Sequence, residues 1–191
     1  MTLFKIFISA FLIDNVILMR FLALCPFIGM SSDEDKSVGM GLAVIFVTLL
    51  ATSATWPLYH FVLKPLGLEF LQILVFILII AALVQLVEFY LKKSAPALYA
   101  SMGIYLALIT TNCAILAVTF DNISKGYNFA ESLVYAFGVA SGFMLSLLLL
   151  AGVRNRIKTS PIPAFLKGTP ILFVAASLLS MAFMGFSGLV K

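Results

Sequence analysis

The stretch FLALCPFIG, residues 21–29, sets a cysteine directly before a proline inside the first long apolar run of the chain. Pro26 has no amide hydrogen and its ring crowds the preceding turn, so the sequence predicts a helix interrupted around residues 22–25. At bilayer depth such irregular backbone survives only where protein buries it or where it lines a cavity. The break therefore asks what a thiol does there.

Composition sets the frame for that question. Of 191 residues, 63% are hydrophobic and 10% are charged, more apolar surface than a soluble domain of this length can bury. Apolar runs near the roughly 20 residues needed to cross a bilayer recur along the chain, at about 3–30, 38–59, 70–91, 98–120, 129–151 and 170–190. The expected fold is an all-α integral membrane protein of six transmembrane helices, interrupted in spans one and four. Asp14, Asn15 and Arg20 break the first run where the apolar core of a signal peptide would lie, so it belongs to the fold. The connections, such as SSDEDKS and DNISKGYN, are too short for a catalytic domain. The net charge of +4 comes from lysines and arginines between apolar runs and indicates no nucleic-acid partner. Two cysteines cannot make a disulfide framework.

Counting Lys and Arg on alternate sides puts seven on one face (Lys36, Lys92, Lys93, Arg154, Arg156, Lys158, Lys167) and four on the other (Lys5, Lys64, Lys125, Lys191). The richer side is expected to be cytoplasmic, with both termini outside. The chain also divides into 1–96 and 97–191, three spans each. An odd number of crossings makes the second half enter from the opposite side, as in an inverted repeat. VILMRFLALCPFIGM and IYLALITTNCAILAV align around Cys25 and Cys113 without gaps, each in the first span of its half.

At the second cysteine, TTNC places Thr110, Thr111 and Asn112 before Cys113, side chains that compete for backbone hydrogen bonds and can resatisfy a broken helix. Half-helix N-termini inside a membrane favour anions, including a thiolate or a thiolate-ligated iron–sulfur centre. Arg20 is a further source of compensating charge. Against this stands the plainer reading, since isolated cysteines in membrane proteins more often simply pack. Two thiolates also fall short of a four-ligand site.

Asp14 is an ionisable group inside span one, which makes an ion path or a hydrogen bond within the bundle its two readings. Glu88 lies four residues before Lys92, an ordinary helical pair. His60, the single histidine, belongs at a span end beside Trp56 and Tyr59. Gly138 and Gly142 form a small-xxx-small face for close helix packing.

DNVILMRFLALCPFIG, LITTNCAILAV, the GMGLA opening of span two and the terminal MAFMGFSGLVK together resemble the RnfA/NqrE family, and the resemblance runs from end to end. These are membrane components of the Rnf complex and of the sodium-pumping NADH:quinone oxidoreductase. The loops and C-terminus are most like the RnfA side of the family. The resemblance implies a non-autonomous component of a redox-driven ion translocase in a bacterial or archaeal cytoplasmic membrane, moving Na+ or H+ as electrons pass between ferredoxin and NAD. It further implies a [2Fe–2S] cluster held by Cys25 and Cys113 and by two cysteines of a homologous partner of opposite orientation, RnfE. Asp14, Arg20 and Asn112 are then candidates for electrostatic or ion-path roles. Flavins and other iron–sulfur clusters are expected on the remaining partners, RnfB, RnfC, RnfD and RnfG, because no nucleotide loop, flavin-attachment sequence or four-cysteine motif is present here. Where family members often read LGLCPF, this chain has Ala23. The competing class is a small ion transporter or channel with an ion site near Asp14 and structural cysteines, and a third is a cofactor-free scaffold.

Overall fold

With apolar side chains at most positions the backbone can satisfy its polar groups only locally, and all regular structure among the described residues is helical, with no strand. The structure is a computed structural model that describes residues 2–31, 34–67, 69–94, 112–159 and 168–185. Among the described residues three helices are long and apolar enough to cross a bilayer, over Ser37–Leu63, Gln72–Tyr90 and Phe129–Lys158, and shorter apolar helices cover Leu3–Ile13, Cys113–Ser124 and Thr169–Met184. The expected span at 98–120 lies partly outside the described residues, as does the end of the last one.

The first segment is a chain of short pieces. Helix α1 (Thr2–Ile8) loosens into a π-helical turn at Ser9–Ile13, then α2 (Val16–Arg20) and α3 (Leu24–Met30) follow. The interruption expected around residues 22–25 lies at 21–23 instead, where Phe21 and Ala23 both take left-handed backbone angles, φ 53° and 59°. Cys25 and Pro26 are helical, in the first turn of α3. The amides of a first turn have no acceptor within their helix, so a proline there does no damage. Pro26 therefore fits the restart of the helix and is not the cause of the break.

Helix α4 (Glu34–Leu58) contains Pro57 near its end. The missing amide there is followed by a second π-helical turn, Tyr59–Leu63. A short α5 (Lys64–Leu66) stops at Gly67, which holds φ 65°. After a single 3-10 turn comes α6 (Gln72–Ser94), with Leu74, Leu78, Leu86 and Phe89 exposed as lipid-facing side chains would be. Helices α7 (Cys113–Ser124) and α8 (Phe129–Lys158) form a hairpin. Its turn is closed by Tyr127 N–H to Asn122 O at 3.2 Å and by Gly126 at φ 65°, and Glu131 caps the start of α8 by accepting from the Asn128 amide at 3.1 Å. The expected loop from residue 121 thus begins one helical turn later. Thirty residues make α8 roughly 45 Å long against a hydrocarbon core of roughly 30 Å, so its basic C-terminal end lies beyond the core. Helix α9 (Thr169–Met184) is the last described element.

By packing, the chain forms two units, one of Met1–Ala43 with Gly138–Lys191 and one of Val44–Phe137. In the first, Gly138 and Gly142 of α8 meet the first segment so closely that a Cβ on Gly142 would stand 2.7 Å from the Phe11 carbonyl oxygen, and one on Gly138 2.8 Å from the Ala10 Cβ. The small-residue face acts as its spacing indicates. In the second unit α6 packs on α7, and Phe76, Ile115, Val118 and Tyr135 lie in the core.

Candidate functional site

The two cysteines sit in different units and are described separately. In the first unit, Cys25 occupies the second position of α3, exposed, with buried Pro26 and Phe27 behind it. The broken backbone before it is answered bond by bond. Asn15, wholly buried, caps α2 by accepting from the Ile17 and Leu18 amides at 3.2 and 3.4 Å, while its own amide donates to Gly142 O at 3.0 Å and to Ser146 Oγ at 2.8 Å. The carbonyls that α2 leaves over receive Phe21 N–H, Leu22 N–H and the Ser180 hydroxyl, which donates to Leu18 O. At the far end of α3, Arg154 donates to Ile28 O at 3.2 Å and to Ser31 Oγ at 3.1 Å, a cation on a helix C-terminus. The chain is thereby held on both sides of Cys25, through α2 before it and at the C-terminal end of α3 after it.

In the second unit, Cys113 is the first residue of α7 and is also exposed. Asn112 caps the helix, its Oδ1 accepting from Ala114 N–H at 3.0 Å. The Nδ2 group of Asn112 is buried and has no hydrogen-bond partner among the described residues. Thr110 and Thr111 lie outside the described residues. Both thiols therefore stand in the first turn of a helix, that of Cys25 restarting after a break and that of Cys113 beginning at the Asn112 cap, and both are exposed. Neither is in a disulfide.

Of the other candidates, Asp14 ends the first π-helical turn, half-buried, with its amide donating to Ser9 O at 2.8 Å. Arg20 is the exposed last residue of α2. His60 stacks on Trp56 at 4.4 Å and meets Tyr59 edge-on, as a span-end aromatic cluster does. Among the described residues no three His, Cys, Asp or Glu side chains are grouped to hold a metal ion. Three structural residues escaped the sequence reading. Asn15 was legible only as a polar neighbour of Asp14, Arg154 only as a loop charge, and Ser180 carried no signal at all.

Comparison with known proteins follows the same line. The family described as Rnf-Nqr subunit, membrane protein, matches residues 3–190. The A component of an ion-translocating oxidoreductase complex from Syntrophotalea carbinolica is 53% identical over 98% of this chain and 97% of its own length. Its counterpart in the Na(+)-translocating ferredoxin:NAD(+) oxidoreductase complex of Acetobacterium woodii is 51% identical over 99% and 98%. The equivalent component from Cereibacter sphaeroides is 52% identical over 97% and 96%. Apolar helices of spanning length, small-residue packing and a match over nearly the whole chain lead to one conclusion: this is a multi-pass membrane protein belonging to the Rnf-Nqr subunit family.

Proposed function

We propose that the chain is the RnfA-type membrane component of an Rnf complex, a ferredoxin:NAD oxidoreductase that translocates Na+ or H+, and that Cys25 and Cys113 are two of the four ligands of an intramembrane [2Fe–2S] cluster. The observation that carries this reading is the pair of exposed thiols, each in the first turn of a helix. The donor chemistry fits: thiolates are the usual ligands of such a cluster, and two outward-facing thiols leave room for two from another chain. When bound, the cluster supplies one-electron transfer. The residues of this chain hold and tune it. First-turn helix amides beside each cysteine suit an anionic cluster. The unpartnered Asn112 amide is a donor for a sulfur beside Cys113, which would raise the reduction potential. Arg20 adds positive charge to the first segment.

The partner in this reading is RnfE, a homologous chain of opposite orientation. Six spans arranged as two inverted repeats, 1–96 and 97–191, give each of the two chains one cysteine per repeat. RnfB, RnfC, RnfD and RnfG carry the flavins and remaining clusters, in a cytoplasmic (inner) membrane with both termini of this chain outside. The test is the paramagnetic spectrum of the reduced, purified complex with Cys25→Ala and Cys113→Ala beside wild type. Each variant loses one cluster signal while the others stay; full retention in both overturns the assignment.

A further inference from the structure

Buried polar atoms in native proteins are almost always hydrogen-bonded, and an unpartnered one at membrane depth is costly. Besides Asn112, the described residues with such atoms are Thr52, Asn122 and Ser132, which are 1%, 2% and 0% exposed and belong to α4, α7 and α8 in the second unit. Among the described residues, neither oxygen nor nitrogen of the Asn122 carboxamide has a partner, nor has either hydroxyl. Their neighbours behave otherwise. On α4, Thr48 and Thr55 bond back to Val44 O and Ala51 O at 2.6 and 2.7 Å, and on α8, Ser141 and Ser146 do the same to Gly138 O and Gly142 O. Thr52 and Ser132 forgo the bond that is ordinary for a helical hydroxyl.

Register brings the three to one level. Trp56, one turn after Thr52, donates to Tyr127 O at 3.0 Å and meets the Phe129 ring at 5.4 Å, which pins α4 beside the α7–α8 turn. Burial deepens from exposed His60 and Phe61 in the π-helical turn back along α4 to Thr52, so Thr52 lies on the inner side of that aromatic cluster. Asp121 Oδ2 accepts from the Tyr135 hydroxyl at 3.1 Å, setting the two hairpin helices opposite each other there. Asn122 follows Asp121, and Ser132 is one turn nearer the connection than Tyr135. Each of the three side chains therefore sits about one turn inside the Trp56–Tyr127–Phe129 cap, on its own helix, turned from solvent.

We propose that Thr52, Asn122 and Ser132 form an intramembrane site for a small monovalent cation of the sodium class. Two hydroxyl oxygens and a carboxamide oxygen are hard, neutral donors of the type such ions take. The Asn122 Nδ2 group donates to a water that the ion keeps. Counter-charge comes from Asp121, 9% exposed, whose local environment also holds Tyr135 and the Lys125 ammonium, 4.4 Å above the Tyr135 ring. The site is read from the second unit alone, and only its role in transport rests on the ion-translocating reading above.

The test is equilibrium binding of radioactive Na+ to the purified complex against a choline background, with iron content and the cluster spectrum recorded on the same samples. Thr52→Val combined with Ser132→Ala is expected to bind one Na+ fewer than wild type, or that ion at least about tenfold more weakly, with the cluster signals intact. Unchanged stoichiometry and affinity overturn the proposal and leave water alone as the occupant. Should the double variant fail to assemble, Asn122→Asp decides. A carboxylate among these oxygens is expected to tighten one Na+ by about tenfold or more, and no change overturns the site. Loss of cluster signal in the cysteine variants bears on the ligand assignment and not on this count.

Discussion

The two cysteine-bearing regions solve the same problem differently. Before Cys25 the backbone is broken three times in about twenty residues, yet the exposed carbonyls and amides are met by Asn15, Ser180 and Arg154. Before Cys113 a single asparagine caps the helix, and among the described residues its amide is left unanswered, as are three more polar side chains in the same unit. The first region spends its polar groups on rigidity. The second keeps several in reserve, where ligands, ions or water can use them.

The largest effect should come from breaking the first region at its pin. Asn15→Ala removes four hydrogen bonds from a wholly buried position and frees two first-turn amides, a loss of about 3 kcal/mol, read as a lower unfolding midpoint of the solubilised complex. Gly142→Ala comes next. A Cβ 2.7 Å from a backbone oxygen forces the first segment off α8, at about 2–3 kcal/mol by the same measurement. In the second region Asn112→Asp keeps the helix cap but replaces the spare donor by negative charge. The potential of the cluster signal in a redox titration should fall by on the order of 50–100 mV, the worth of one hydrogen bond to a charged group. The smallest effect has the opposite sign. Ala23 holds φ 59°, which strains any residue with a Cβ, so Ala23→Gly should raise the unfolding midpoint by the equivalent of about 1 kcal/mol.

That last prediction shows what was legible in the sequence and what was not. FLALCPFIG announces a break and a thiol beside it, because proline and cysteine carry strong local rules. It does not reveal that the break belongs to Phe21 and Ala23, since nothing in either residue type signals left-handed backbone. Ala23, where family members often have Gly, looks innocuous in the sequence, whereas its left-handed backbone makes it a point of strain. The first π-helical turn was equally silent, whereas the second follows Pro57, whose missing amide the sequence shows. The spacing of Gly138 and Gly142 was readable because it expresses a simple helical period. Asp121 and Asn122 read as the start of a loop and are not one: polar residues usually mark the end of a span, and only the tertiary partners, Tyr135 among them, reveal a buried helical turn. The thiols were found by chemistry, but their exposure could come only from the fold.

The central claim is that this chain brings two ligands to a cluster it cannot complete alone. Iron per purified complex, compared between wild type and Cys113→Ala at equal protein content, tests it most directly. A loss of two iron atoms per complex is the expected result, matching one [2Fe–2S] centre. Full iron content with an unchanged spectrum would contradict it and return Cys113 to a role without metal.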